Sequence, residues 1–147
     1  MTLRAQISED MKSAMRAKDS TRLGTIRLLQ AALKQREVDE RIELTDADVI
    51  GVIEKMLKQR RDSIAAYETA NRADLADVEK AEVVVLQTYL PKQLTDEEVA
   101  AILEKVVADT GAASMKDMGK VMGMIKPLVA GKADMGKISG LIKARLA

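Results

Sequence analysis

Apolar residues recur at every third or fourth position along almost the whole of this chain, and short polar segments able to cap a helix interrupt the runs. That spacing follows one face of an α-helix, whereas a half-buried strand would need strict alternation. Side-chain chemistry points the same way. Tyr67 and Tyr89 are the only aromatic residues, with no Phe and no Trp, and sheets lean on aromatic and β-branched side chains. Ala, Leu, Glu, Lys, Arg and Met dominate instead, and these lose little rotamer freedom on a helix. The expected fold class is all-α.

The punctuation divides the chain into seven helices. Helix one is expected from Leu3 to Ala17 behind a Thr2 cap, with Leu3, Ile7, Met11 and Ala14/Met15 as its apolar stripe. Helix two follows Asp19 and carries Leu23, Ile26, Leu29/Gln30 and Leu33 towards Val38, where Asp39-Glu40-Arg41-Ile42-Glu43 reads as a charged hairpin. Thr45 and Asp48 form a capping box, each satisfying an orphan backbone donor of the first turn. Helix three then runs from about Asp46 to Ala70, with Val49, Ile53, Met56/Leu57, Ile64 and Tyr67 inward. Asn71 is a left-handed stop, and helix four spans Arg72 to Thr88. It ends at Tyr89-Leu90-Pro91, because proline cannot continue the ladder.

Beyond that break, Thr95 to Glu98 reads as a capping box for helix five, which closes near Thr110-Gly111. Ser114 and Asp117 repeat the box for helix six, about Met115 to Val129, and Asp134 caps helix seven to Leu146. The expected organisation is a four-helix domain over residues 1–91 and a three-helix domain over 92–147. No repeat of 30–50 residues is present.

Several chemistries are closed off by composition. The 147 residues contain no cysteine and no histidine, which removes thiolate nucleophiles, the commonest general base and the commonest transition-metal ligands. Every Asp/Glu cluster sits where capping or a solvated face accounts for it, and neither a phosphate-binding glycine loop nor a nucleophile elbow occurs. No catalytic residue, cofactor or metal is assigned, and the enzyme question stays open. Met1-Thr2-Leu3-Arg4 starts without an apolar signal core and no apolar run approaches a membrane span, so the cytoplasm is the expected location and no membrane is an expected partner.

Charge is balanced overall, at 24 basic against 23 acidic residues, but not locally. From Lys116 to Ala147 there are seven basic and two acidic residues, an excess of five. On helix six, at about 100° per residue, Met115, Met118, Val121, Met122, Ile125, Leu128 and Val129 share one face. Lys116, Gly119, Lys120, Gly123 and Lys126 collect on the other. Helix seven repeats the arrangement, with Met135, Ile138, Ile142 and Leu146 inward and Gly136, Lys137, Gly140 and Lys143 opposite. Gly131-Lys132-Ala133-Asp134 between them offers backbone donors at a helix start, a favoured place for an anion. Glycines flanked by lysines would let a phosphate backbone approach closely, but the same spacing serves tight helix packing beside a solvated lysine face. A second basic group, Arg60, Arg61 and Arg72, reads as an ion-pair network with Asp62, Glu68, Asp74 and Glu79 in preference to a phosphate site.

Lys58-Gln59-Arg60-Arg61-Asp62-Ser63, Ala70-Asn71-Arg72-Ala73-Asp74-Leu75, Tyr89-Leu90-Pro91-Lys92-Gln93-Leu94, Asp117-Met118-Gly119-Lys120-Val121-Met122 and Gly131-Lys132-Ala133-Asp134 occur in an order that resembles the YqeY family along essentially the whole chain. The family commonly has glycine at position 71, where Asn also tolerates a left-handed backbone, and at position 135, here Met. The carboxy-terminal half is also similar to the tail of GatB, the B subunit of the glutamine-dependent aspartyl/glutamyl-tRNA amidotransferase. That resemblance implies an RNA-contacting module separate from the amide-transfer chemistry. Its implied function is a tRNA-binding accessory protein, with RNA contacts at Lys116, Gly119, Lys120, Gly123, Lys126, Gly131, Lys132, Lys137 and Lys143. Two alternatives stand beside it. One is a protein-interaction module docking on an amidotransferase or aminoacyl-tRNA synthetase; the other is a carbon–nitrogen ligase using glutamine, a label inherited from the family.

Overall fold

The computed structural model describes residues 1–147 and contains seven α-helices with no strand. They are α1 (Leu3–Arg16), α2 (Ser20–Glu40), α3 (Asp46–Thr69), α4 (Ala73–Gln87), α5 (Asp96–Thr110), α6 (Met118–Val129) and α7 (Met135–Leu146), with a single 3-10 turn at Met115–Asp117. Two compact units result, Met1–Leu90 and Pro91–Ala147. No helix is long and apolar enough to cross a membrane.

In the first unit, local chemistry sets the helix ends. Thr2 Oγ1 accepts from Ala5 N at 3.1 Å, and Asp19 accepts from Arg22 N at 3.2 Å. Thr45 and Asp48 close a full capping box, which satisfies two otherwise orphaned donors. Asn71 turns the chain with φ 57°. The expected hairpin at Asp39–Glu43 is not formed as such, because α2 continues through Asp39 and Glu40. Gln35 donates to Asp39 and Arg36 pairs with Glu40, and such i,i+4 partners carry a helix through a charged stretch. Arg41, at φ 54°, stops it, its N–H donating to Glu37 O.

The core of this unit comprises Ile7, Ala14, Ile26, Leu29, Leu33, Val49, Ile53, Met56, Leu57 and Leu86, with Tyr89 and Leu90 packed against it. Ile64 and Tyr67 are only half-buried, and Met15, expected inward, is exposed. Arg60 ties α3 to α4. Its guanidinium reaches Glu82 at 2.7 Å and Glu79 at 3.9 Å, and its side chain is only 13% exposed. Lys80 meets Glu68 at 2.8 Å and Arg72 meets Asp74 at 3.0 Å. The arginine-rich stretch therefore includes an ion-pair network joining α3 and α4.

The second unit buries Val99, Leu103, Val106, Val107, Val121, Ile125, Val129, Ile138, Ile142 and Leu146. Thr95 Oγ1 accepts from Glu98 N at 3.1 Å, but the Glu98 carboxylate takes the Thr95 hydroxyl at 3.2 Å, so this cap is one-sided and not the expected box. Gly111 ends α5 at φ 67°. The expected start of helix six is a 3-10 turn, tightened by the Ser114–Asp117 box. Met115 lies in that turn, out of α-helical register, and is 44% exposed. Leu128, also expected inward, is 50% exposed. Val121, Ile125 and Val129 already fill the buried stripe, and Leu128 falls about 100° round the helix from Val129.

Candidate nucleic-acid interface

With the helix bounds fixed, α6 and α7 prove to be two copies of one twelve-residue pattern. Met118-Gly119-Lys120-Val121 aligns with Met135-Gly136-Lys137-Ile138, followed by Gly123 with Gly140, Ile125 with Ile142 and Lys126 with Lys143; six of the twelve positions are identical. Equivalent positions take equivalent places. Val121 and Ile138, Ile125 and Ile142, and Val129 and Leu146 are buried as pairs.

The first lysine of each copy braces α5. Lys120 Nζ donates to Thr110 O at 3.1 Å, satisfying a carbonyl in the last turn of α5, where a cation also suits the helix dipole. Lys137 Nζ meets Asp96 in the first turn of α5 at 2.6 Å, and that hydrogen bond holds the ammonium pKa above its ordinary value. Repeat-equivalent lysines thus hold opposite ends of one helix. Both side chains remain exposed, and exposed pairs of this kind contribute little.

Met118 and Met135 pack against the core, whereas three further repeated positions face solvent. Gly119, Gly123 and Lys126 stand at i, i+4 and i+7, as do Gly136, Gly140 and Lys143, and helical spacing puts each trio along one line. A Cβ added at Gly119, Gly123 or Gly140 would meet nothing within 4 Å. The tight-packing explanation therefore fails within this unit. Mid-helix glycine costs about 1 kcal/mol against alanine, and no neighbouring helix of the unit offsets that cost here. Pro127 adds to the opening, since it has no N–H to give to the Gly123 carbonyl.

Two expectations are corrected around the α6–α7 turn. Gly131 is buried, with φ 73°. It serves the turn, not close approach of a ligand, because a left-handed backbone there suits a residue without Cβ. Its carbonyl accepts from Gln93 Nε2 at 2.8 Å, and the Lys132 carbonyl accepts from Leu94 N at 2.8 Å, so the turn is stapled to the start of the unit. The α7 start is not an open anion site either. The Asp134 carboxylate accepts from Gly136 N at 3.0 Å and already occupies it, placing negative charge where a phosphate would have to sit.

Lys116, in the 3-10 turn, Lys126, Lys132 and Lys143 are all exposed. Asp117 accepts from Ala113 N at 2.9 Å and Ser114 N at 3.3 Å, which holds its carboxyl below the usual range. At the end of α7, Arg145 is taken up by Glu104, at 2.6 Å. The surface thus sorts into bracing cations, Lys120, Lys137 and Arg145, and outward ones, Lys116, Lys126, Lys132 and Lys143. Reading the two helices in register would have exposed the full repeat from sequence. Which lysines brace α5 requires the fold.

The same chain order matches the profile of the Yqey-like protein family over residues 4–146. The chain belongs to the Yqey-like family. Among curated proteins it is similar to "Altered inheritance of mitochondria protein 41, mitochondrial" of Vanderwaltozyma polyspora, 34% identical over 119 residues, covering 76% of this chain and 64% of the relative. The protein of the same name from Kluyveromyces lactis is 36% identical over 109 residues, covering 71% and 58%. That from Pyrenophora tritici-repentis is 31% identical over 134 residues, covering 87% and 71%. The chain thus spans about three-fifths of the first two relatives' length. These names overturn the cytoplasmic expectation: the three relatives are mitochondrial proteins by name.

Proposed function

We propose that this Yqey-like protein is a tRNA-binding accessory protein whose α6–α7 surface meets RNA phosphates. The observation that carries this reading is the pair of glycine–glycine–lysine lines, repeated in register on two helices, with open space over Gly119, Gly123 and Gly140. Glycines at that cost to the helix, with no packing gain in the unit, favour an external partner that approaches the backbone closely. The flanking Lys126 and Lys143 favour a polyanion. Folded RNA is read largely through shape, 2′-hydroxyls and phosphates, which suits a chain almost without aromatic side chains for base stacking. The resemblance to the GatB tail read from the sequence motifs points the same way by analogy.

Lys116, Lys126, Lys132 and Lys143 would make the phosphate contacts, with Lys120 and Lys137 contributing from the flank while bracing α5. The test is titration of labelled bulk tRNA at low and moderate salt, with the wild type and a Lys116/Lys126/Lys132/Lys143→Ala variant. Binding that weakens steeply with salt, as counterion release requires, and is lost in the variant supports the reading. Absent binding at low salt, or binding indifferent to both salt and the four lysines, overturns it.

A further inference from the structure

In the first unit, the outward face of α2 carries a separate row of positive charge. Arg27, Lys34 and Arg41 recur every seven residues, a spacing that keeps them within about 40° of one line on a helix. At 1.5 Å per residue the row runs for about 21 Å, ending at the Arg41 cap. All three side chains are exposed, and none lies within salt-bridge distance of a carboxylate.

The other cations of the same helix behave differently. Arg22, off the line, meets Asp10 at 3.8 Å, and Arg36 is shared between Glu40 and Asp48. The acids of α2 are engaged as well. Glu37 pairs with Arg4 at 3.1 Å, Asp39 accepts from Gln35 at 3.0 Å, and Glu40 holds Arg36. They fall roughly 80–140° round the helix from the row, so no carboxylate neutralises it from within α2. Pairing thus stops where the row begins.

The side chains between the cations decide what kind of partner fits. Ala31 and Val38 separate the three, and Gly24 precedes them. Val38, 64% exposed, is the one side chain among these larger than a methyl. A helical partner would need a run of large aliphatic residues to interdigitate with, and a bilayer surface would need a broad apolar face to bury. Neither is present. Regularly spaced free cations, with no acid and little apolar bulk among them, complement a strand of regularly spaced phosphates.

We infer that the Arg27–Lys34–Arg41 row of α2 is a second RNA-contacting surface, each cation meeting one phosphate. It rests on the tRNA reading above and adds contacts in the first unit that no residue of α6 or α7 supplies.

The test is titration of labelled bulk tRNA with the whole chain over a range of salt. Wild type is compared with Arg27→Gln/Lys34→Gln/Arg41→Gln and with a charge control, Lys12→Gln/Lys55→Gln/Lys58→Gln, which removes three exposed cations outside α2. Glutamine suits a helix about as well as lysine or arginine, and unchanged helical circular dichroism checks the fold. The α2 variant should bind at least tenfold more weakly at low salt. Its slope of log affinity against log salt should fall by about two to three units, since three phosphates lose their partners. The control should lose less than one unit. An α2 variant indistinguishable from the control overturns the inference. So does loss of binding to phosphatidylglycerol/phosphatidylcholine vesicles with tRNA binding intact, which would make the row a membrane contact. The Lys116/Lys126/Lys132/Lys143→Ala variant, run alongside, separates the two surfaces. If it alone weakens binding, the α2 row falls and the α6–α7 reading stands; if the α2 variant alone does so, the α6–α7 reading falls. Wild type that binds no tRNA overturns both.

Discussion

The hydroxyl of Tyr89 donates to Asp10 Oδ2 at 2.7 Å across 79 positions of sequence, fastening the turn after α4 to the middle of α1. Arg22 approaches the other Asp10 oxygen at 3.8 Å. One carboxylate thus joins α1, α2 and the end of the first unit, immediately before Leu90-Pro91. Half-burial and the neighbouring carboxylate push the Tyr89 phenol well above its ordinary pKa of 10.

Tyr89→Phe should therefore destabilise the first unit by about 1–2 kcal/mol, less than a fully buried hydrogen bond to a charged group because this pair stays partly solvated. The pH dependence has a definite sign. A folded-state pKa raised above the unfolded value means that the contribution is complete below about pH 10 and is lost as pH rises further, because only the unfolded phenol ionises. Denaturant melts between pH 8 and about 11 should show wild-type stability falling towards that of Tyr89→Phe at the alkaline end. Parallel curves for the two proteins would show that the bond contributes nothing.

Arg60 offers a contrast, since its arginine-rich stretch reads in sequence as an ion-pair network in preference to a phosphate site. Its 13% exposed side chain sits against Glu79 and Glu82. Arg60→Met leaves two partly buried carboxylates without their cation, and should cost about 2–4 kcal/mol, since breaking one partner of a buried pair is worth more than the pair itself. Affinity for tRNA under folding conditions should stay within twofold of wild type. A stable variant with lost tRNA binding would reverse that assignment and make Arg60 an RNA contact.

Local chemistry explains what the sequence revealed and what it concealed. Thr2, Thr45 and Asp134 cap helices within three residues of themselves, and Asn71 adopts a left-handed backbone that its own side chain tolerates. Such signals need no tertiary context. The extension of α2 through Asp39 and Glu40 depended on i,i+4 partners that also suit a turn. Glycine was the least decipherable residue. Gly131 sits buried at positive φ while Gly119 and Gly123 stand open on a helix, and only the placement of surrounding helices separates these cases. Lysine posed the same difficulty, because Lys120 and Lys137 find Thr110 and Asp96 across the unit.

Opposed effects on stability and binding should follow from Gly119→Ala/Gly123→Ala. A methyl at either site meets open space, so α6 should gain up to about 1 kcal/mol per glycine replaced. The same methyl groups stand where an approaching phosphate backbone would come closest, so tRNA affinity should fall several-fold even as the melting temperature rises. A variant both more stable and equally tight would leave those glycines without a binding role.

The acid limb of stability should report on the start of α6. Asp117 accepts two backbone N–H groups, and its folded pKa lies below the ordinary 3.8. A depressed value contributes stability above about pH 3.8, and that contribution is lost as pH falls through the folded value. Asp117→Asn should flatten this part of the stability profile between pH 5 and about 2, measured by denaturant melts. An unchanged slope would place the acid sensitivity in other carboxylates, such as Asp48, which is lowered by its Thr45 bonds.

Equivalence of the two helix copies gives the sharpest test of the RNA surface. Lys126 and Lys143 hold the same position in the repeat, both exposed. If each neutralises one phosphate, removing either should reduce the slope of log affinity against log salt by about one unit or slightly less. Lys126→Ala and Lys143→Ala should then give equal slope changes, and the double variant their sum. Lys137→Ala should change the slope less, because Asp96 already holds that ammonium at 2.6 Å. A slope change confined to Lys126 or to Lys143 would mean that the helices, alike in sequence, present different surfaces to the RNA. The repeat would then serve the core packing of Val121 with Ile138 and Ile125 with Ile142, and binding would rest on one helix alone.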